Sequence, residues 1–234
     1  MMSREAGYDQ VLTVFNPNGR LLQLEYAHRV VEKAQPITGV VYKGGVVVAG
    51  IRATHDPLMD IKKFHKVYDL GENLVIAFAG ISSDARILID YVRADIQGYK
   101  LTFDEAPRPV DVATRLAKIM HIYTLYASIR PFGVSFLLGG VADNKGELFL
   151  LVPGGYSTAY KAWALGRAAD TMNSIFEREY KEDISKEDAI NLTFRALKEG
   201  YGKIKETDIE VAIVDSKEGL KHLEENELKE YLER

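Results

Sequence analysis

The stretch Tyr8-Asp-Gln-Val-Leu-Thr-Val-Phe-Asn-Pro-Asn-Gly-Arg-Leu-Leu-Gln-Leu-Glu-Tyr-Ala-His-Arg-Val-Val-Glu-Lys-Ala34 decides how the rest of the chain is read. Asn16-Pro17-Asn18-Gly19 is a strong turn signal, because proline presets one dihedral and Asn-Gly tolerates a left-handed residue. From Gln23 to Lys33 the composition favours a helix, with no Gly or Pro inside it. At roughly 100° per residue its apolar side chains fall into two stripes. Leu21, Leu24, Ala27 and Val31 form one, and Leu22, Tyr26 and Val30 the other. A surface helix of a monomer normally carries one apolar stripe. Two stripes predict a helix sandwiched between its own domain and a neighbour; burial within one large domain would give the same pattern.

Working outward, the 234 residues are enough for one large domain with a substantial core. The composition is 47% hydrophobic and 27% charged, ordinary for a soluble globular protein. A net charge of −4 removes any composition-level case for nucleic-acid binding, and the five scattered histidines do not restore one. With no cysteine there are no disulfides and no thiolate metal sites, which fits a reducing cytoplasm. The opening Met1 to Gly7 has no apolar core of the kind a signal peptide needs. Apolar runs such as Val46 to Ile51 fall far short of the roughly 18 residues of a membrane span. The expectation is a soluble, intracellular protein with no membrane partner.

The pattern along the chain alternates strand pairs with helix pairs. Ile37–Tyr42 and Val46–Ile51 read as a hairpin turned at Lys43-Gly44-Gly45, and Lys66–Asp69 with Asn73–Ala79 as a second pair. Ser82-Ser83-Asp84 offers an N-cap for a helix over Ala85–Gln97, stopped by Gly98, and Val110–Tyr126 is a second long helix. Strands follow at Val134–Leu138, Leu148–Val152 and Ser157–Ala164, then a helix at Ala168–Tyr180. The capping-box signal Ser185-Lys-Glu-Asp188 opens a helix that ends at Gly200. Ile209–Val214 and Leu220–Leu223 are the last strands, and Glu225–Arg234 reads as a charged, solvated helix. No linker divides the chain, so residues 1–234 are expected to form one domain. The order fits an α+β four-layer α-β-β-α sandwich, two antiparallel sheets facing each other with a helix pair over each outer face.

Tyr8, Asp9, Pro17, Gly19, Arg20, Gln23, Glu25, Tyr26 and Ala27 match, in order and spacing, the N-terminal signature of proteasome α-type subunits. Further blocks extend the resemblance over nearly the whole chain. Ala79-Gly-Ile-Ser-Ser-Asp-Ala-Arg86 resembles the family's Ser-Gly-x-x-x-Asp-Ala-Arg. Tyr123-Thr124 with Arg130-Pro-Phe-Gly-Val-Ser135 resembles another α-type pair, and Glu177-Arg-Glu-Tyr180 followed by Ala189-Ile190 resembles the later helices. The resemblance implies the same sandwich, of N-terminal-nucleophile hydrolase type. It also implies a heptameric ring, homomeric or mixed, that templates β-type rings, gates substrate entry and docks a regulatory ATPase. Residues 1–34 would be the gate segment and ring-face helix, with Tyr8, Asp9, Pro17 and Tyr26 at the gate and Leu21, Leu24 and Val31 at the ring interface. Lys66, with Gly80 and Ile81, would form the activator-docking pocket, its ammonium pairing with a C-terminal carboxylate. Without the resemblance, Ile61-Lys-Lys-Phe-His-Lys-Val67 reads as a solvated basic loop.

The related β-type subunits are threonine peptidases whose nucleophile must be the first residue, its free amine serving as the base. This chain has no Gly-Thr junction at which self-processing could expose one. Laying Ile37-Thr-Gly-Val40 on the β-type first strand puts Gln35 at the nucleophile and Ile51 at the structural aspartate. Only Lys66, with a one-residue shift, keeps its type. No catalytic residue is expected. Gly44-Gly45 and Gly139-Gly140 fit no phosphate cradle, and Ser135 is not in a nucleophile elbow. His55 and His65 have no i, i+4 partner, so no metal or other cofactor is expected. Gln10, His28, Gly50-Ile51 and Ala127-Ser128-Ile129 depart from the family pattern, as a diverged paralogue would. Two alternatives stay open: a ring protein outside the proteasome, and a stand-alone amidohydrolase.

Overall fold

The computed structural model describes residues 13–52 and 58–234. Ten strands form two five-stranded sheets in which every neighbouring pair is antiparallel. The first has the order β10-β9-β2-β1-β8, with β1 Ile37–Tyr42, β2 Gly45–Ile51, β8 Ala162–Leu165, β9 Ile209–Asp215 and β10 Gly219–His222. The second has the order β3-β4-β5-β6-β7, with β3 Val67–Gly71, β4 Leu74–Gly80, β5 Val134–Ala142, β6 Lys145–Val152 and β7 Tyr156–Ala159. Helices α2 (Ser82–Phe103) and α3 (Pro109–Leu125) cover the second sheet. The first is covered by α4 (Ala169–Glu179), α5 (Lys186–Tyr201) and the short α6 (Glu225–Glu233), while α1 (Leu22–Glu32) stands apart from both helix layers.

Both faces of each sheet are buried, which is why the central strands read as unbroken apolar runs rather than as alternation. Along β2, Val46 and Val48 enter the core between the sheets, while Val47, Ala49 and Ile51 pack under α4 and α5. Along β4, Val75, Ala77 and Ala79 face inward and Leu74, Ile76 and Phe78 face α2 and α3. The expected four-layer α-β-β-α sandwich is therefore the fold.

Three expectations need correction. Gly98 does not stop α2, which continues to Phe103 and ends on the left-handed Asp104 (φ 55°). Ile96 is buried just before the glycine, and Tyr99, on the next turn, packs on Phe103 (centroids 4.6 Å apart) and beneath Arg115. These contacts outweigh the roughly 1 kcal/mol that an interior glycine costs. The single strand expected over Ser157–Ala164 is two strands in different sheets. The chain crosses at Tyr160-Lys161, where Tyr160 N–H donates to Leu148 O (2.9 Å) and Val41 N–H to Lys161 O (2.7 Å). No glycine or proline marks that crossing, so nothing in the local sequence signals it. The terminal helix is not simply solvated: Leu228 is buried and the Tyr231 ring stacks on Phe194 at 5.2 Å.

Candidate functional site

The Asn16-Pro17-Asn18-Gly19 turn is held by one side chain. Asn16 Oδ1 accepts from the N–H groups of Asn18 (3.0 Å) and Arg20 (2.9 Å), and the Asn16 N–H donates to Arg20 O (2.9 Å). Gly19 closes the turn at φ +73°, a conformation that favours glycine. Arg20 then forks onto Glu25 in the first turn of α1 and holds that carboxyl below its ordinary pKa. A carboxylate there also suits the positive end of the helix dipole. Turn and helix entry are thus fixed by residues within the signature.

α1 lies against β4 and β5 at one end of the sandwich. Ala27 and Val31 are buried, Val31 within the cluster between the sheets, and Leu24 overlies Gly154, where an added Cβ would sit 3.3 Å from its Cδ2. Of the three residues expected at a ring interface, Val31 is in the chain's own core, and Leu21 and Leu24 are half-buried. The outward apolar stripe is the other one, with Tyr26 and Val30 exposed by 37% and 38%, and Arg29 lying over the Tyr26 ring. Pro17 is exposed. Tyr8, Asp9, Gln10 and His55 lie outside the described residues.

At the same end of the sandwich lie Gln35 and Ile51, the residues expected in place of a β-type nucleophile and its structural aspartate. Gln35 is half-buried in the link before β1, and Ile51 is fully enclosed at the end of β2. Among the described residues, the buried hydroxyls of Thr38 and Ser135 have no hydrogen-bonding partner, so neither has a base to activate it. Neither of these two hydroxyls is poised for acyl transfer.

Lys66 is not on an open basic loop but is buried just before β3. It is 3% exposed, and its Nζ lies 4.1 Å from the Phe78 ring centroid. Burial lowers its pKa from the usual 10.5 to about 8, partly opposed by the charge of Glu210. Among the described residues no carboxylate comes within ion-pairing distance of Nζ. The Lys66 carbonyl accepts from Phe78 N–H (3.3 Å), which places the residue two positions along β4 from Gly80. Lys66, Gly80 and Ile81 are therefore brought to one end of the β3–β4 pair, where Gly80 and Ile81 are half-exposed. Lys62 pairs with Glu225 and Lys63 with Asp60, both on the surface.

Two polar clasps frame this corner. Asp84, buried at the start of α2, accepts from both ends of the Arg130 guanidinium (2.6 and 2.7 Å) and from Gly133 N–H (2.8 Å). Burial pushes its pKa up, but these donors outweigh it and hold the carboxyl below the ordinary range. Gly133 O in turn accepts from Ile81 N–H (2.9 Å), and Gly80 passes so close that a Cβ would lie 2.2 Å from that oxygen. The segments Ala79–Arg86 and Arg130–Ser135 thus form one joint. The second clasp, on Glu210, escaped the sequence reading. Glu210 Oε2 accepts from the N–H groups of Lys66 (2.6 Å) and Val67 (3.1 Å), while Oε1 meets Arg52 (3.0 Å) and His65 (2.7 Å). Its only sequence signal is a carboxylate inside the apolar run Ile209 to Val214.

A family model for proteasome subunits matches residues 31–214, and a second, for the N-terminal signature of the proteasome's α-type subunits, matches residues 8–29. The chain belongs to the proteasome α-subunit family. It is 34% identical over 230 residues to the proteasome alpha subunit of Methanocaldococcus jannaschii, covering 98% of this chain and 88% of that protein. With the alpha subunit of Methanopyrus kandleri it shares 36% identity over 233 residues, 98% of this chain and 94% of the relative. That of Sulfurisphaera tokodaii is 37% identical over 220 residues, covering 92% and 90%. The described part of the α-type signature is the Asn16 turn, the Arg20–Glu25 fork and α1, the features that close this end of the sandwich. Among the described residues no helix is long and apolar enough to cross a membrane.

Proposed function

We propose that this chain is the non-catalytic α subunit of a 20S proteasome core particle in the cytoplasm. It assembles into heptameric rings, homomeric or mixed with a second α-type chain. Those rings template β-type rings, restrict entry to the proteolytic chamber and dock an activating ATPase. The observation that carries this reading is the seat of α1. One stripe of the helix packs onto β4, β5 and the core between the sheets, at the end where a peptidase would need an open cleft, while Tyr26 and Val30 present the second stripe outward. Gln35 and Ile51 support the non-catalytic assignment, since neither can serve as a nucleophile or hold a lysine for one.

Gating is assigned to the segment before the Asn16 turn, with Tyr8, Asp9, Pro17 and Tyr26 holding it clear of the pore when open. Docking is assigned to the corner formed by Lys66, Gly80 and Ile81, where an arriving carboxylate would meet an ammonium with an apolar wall, a setting that strengthens a charge-assisted bond. Co-expression with an archaeal β-type subunit tests the assignment. The chain alone should hydrolyse no peptide, while a co-purified complex should do so. Deleting Met1 to Gly7 should then speed degradation of unfolded proteins far more than that of tripeptides. Turnover by the chain alone, abolished by changing one of its Ser or Thr residues, would overturn the reading.

A further inference from the structure

Glu210 belongs to β9 in one sheet, yet both of its carboxylate oxygens are engaged outside that sheet's ladder. Oε2 takes the backbone N–H groups of Lys66 and Val67, where β3 begins in the other sheet. Oε1 takes Arg52 just past β2 and His65 just before β3. Arg52 is itself pinned, its Nε donating to Thr207 O (3.1 Å) and its backbone N–H to Asp208 O (2.8 Å). The Glu210 side chain is only 11% exposed. A carboxylate with four donors in a nearly dry setting is held rigidly, and so is whatever it holds.

From this geometry we infer that Glu210 is the positioning residue for Lys66, fixing the backbone from which the lysine departs and supplying the negative charge that keeps its ammonium in a buried seat. The inference rests on the docking role proposed for Lys66 and names the device that prepares it. The groups facing Lys66 are Glu210 from β9 and the Phe78 ring from β4. Those facing Glu210 are Arg52, His65 and, further off, His222 on β10. The Glu210 charge acts on the lysine in one direction: without it, burial alone sets the proton affinity, and the amine loses its proton at lower pH. A neutral amine cannot pair with a terminal carboxylate, so docking would fail at lower pH too.

The test uses the full chain in its assembled ring, with a synthetic peptide whose free C-terminus is a hydrophobic residue, a tyrosine and one further residue as the docking probe. The Lys66 side chain is titrated by NMR of labelled lysine, and peptide affinity is measured against pH. In Glu210→Gln the Lys66 midpoint should fall by about one pH unit, with affinity about fivefold weaker near pH 8. Glu210→Asp keeps the charge but is one methylene too short to hold both backbone N–H groups. It should leave the midpoint near the wild-type value and still weaken binding, which separates positioning from charge and keeps the test sound if the Gln variant folds poorly. An unchanged midpoint and unchanged affinity in Glu210→Gln, with Lys66→Ala unable to bind, would overturn the role of Glu210 while leaving docking intact. Full binding by Lys66→Ala would remove the docking reading itself, and this inference with it.

Discussion

Lys66 carries an ammonium into a site that offers it a ring face and a carboxylate at one remove, and its depressed pKa states the energetic consequence. Folded, it releases its proton near pH 8; unfolded, near 10.5. Between those values the unfolded chain binds more protons than the folded one, so this group's contribution makes stability rise with pH across that window. Below pH 8 the full cost is present, on the order of 3 kcal/mol. Lys66→Met should therefore raise the melting temperature at pH 7 and flatten the rise between pH 8 and 10.5, as read by thermal melts over that range. A lower melting temperature would mean that the cation–π contact with Phe78 outweighs desolvation. Asp84 presents the opposite case: Asp84→Ala strips the partner from Arg130 and leaves the buried Gly133 N–H unsatisfied, so it should cost about 3 kcal/mol in denaturant unfolding.

Helix α1 shows how far an element's role can be read from its pattern. The two stripes were visible in the sequence, but which one faced the core was not, because both have similar apolar content and the helix lies against the sandwich end rather than flat on a sheet. The structure places Val31 in the core, so Val31→Ala should destabilise the monomer by about 1–2 kcal/mol. Glutamates at Tyr26 and Val30 should instead leave the monomer's melting temperature nearly unchanged and abolish higher-order assembly, as measured by light scattering. Intact rings in that double variant would remove α1 from the interface. Where the two sheets have edge strands side by side, β10 is tied to β3 by His222, whose Nε2 lies 2.6 Å from Asp69 Oδ1. The bond raises the His222 pKa above its usual 6.5 and holds Asp69 below its own. Its contribution is complete between the ordinary aspartate and histidine values, lost as pH rises through the raised histidine value and as it falls through the lowered aspartate one. His222→Gln should remove that loss from the stability profile without touching the lysine window above pH 8.

Across the whole molecule, the sandwich was legible because its order of strand and helix pairs is a global pattern that survives local errors. The unsignalled crossing at Tyr160-Lys161 changes one strand but not the architecture, since β7 and β8 are short edge strands on sheets whose central strands are long apolar runs. The candidate site was less legible. Lys66, Gly80 and Ile81 could be named from resemblance, but the burial of Lys66 depends on residues far along the chain, above all Glu210, 144 positions away. Long-range polar contacts leave no periodic trace, so neither clasp could be assembled before its backbone was. The central claim is that this family member is an assembly subunit with no chemistry of its own. Native mass measurement of the purified chain, alone and after mixing with an archaeal β-type subunit, tests it most directly. Heptameric species alone and a stacked α–β assembly after mixing are the predicted result; a monomer that ignores the β-type subunit would contradict it.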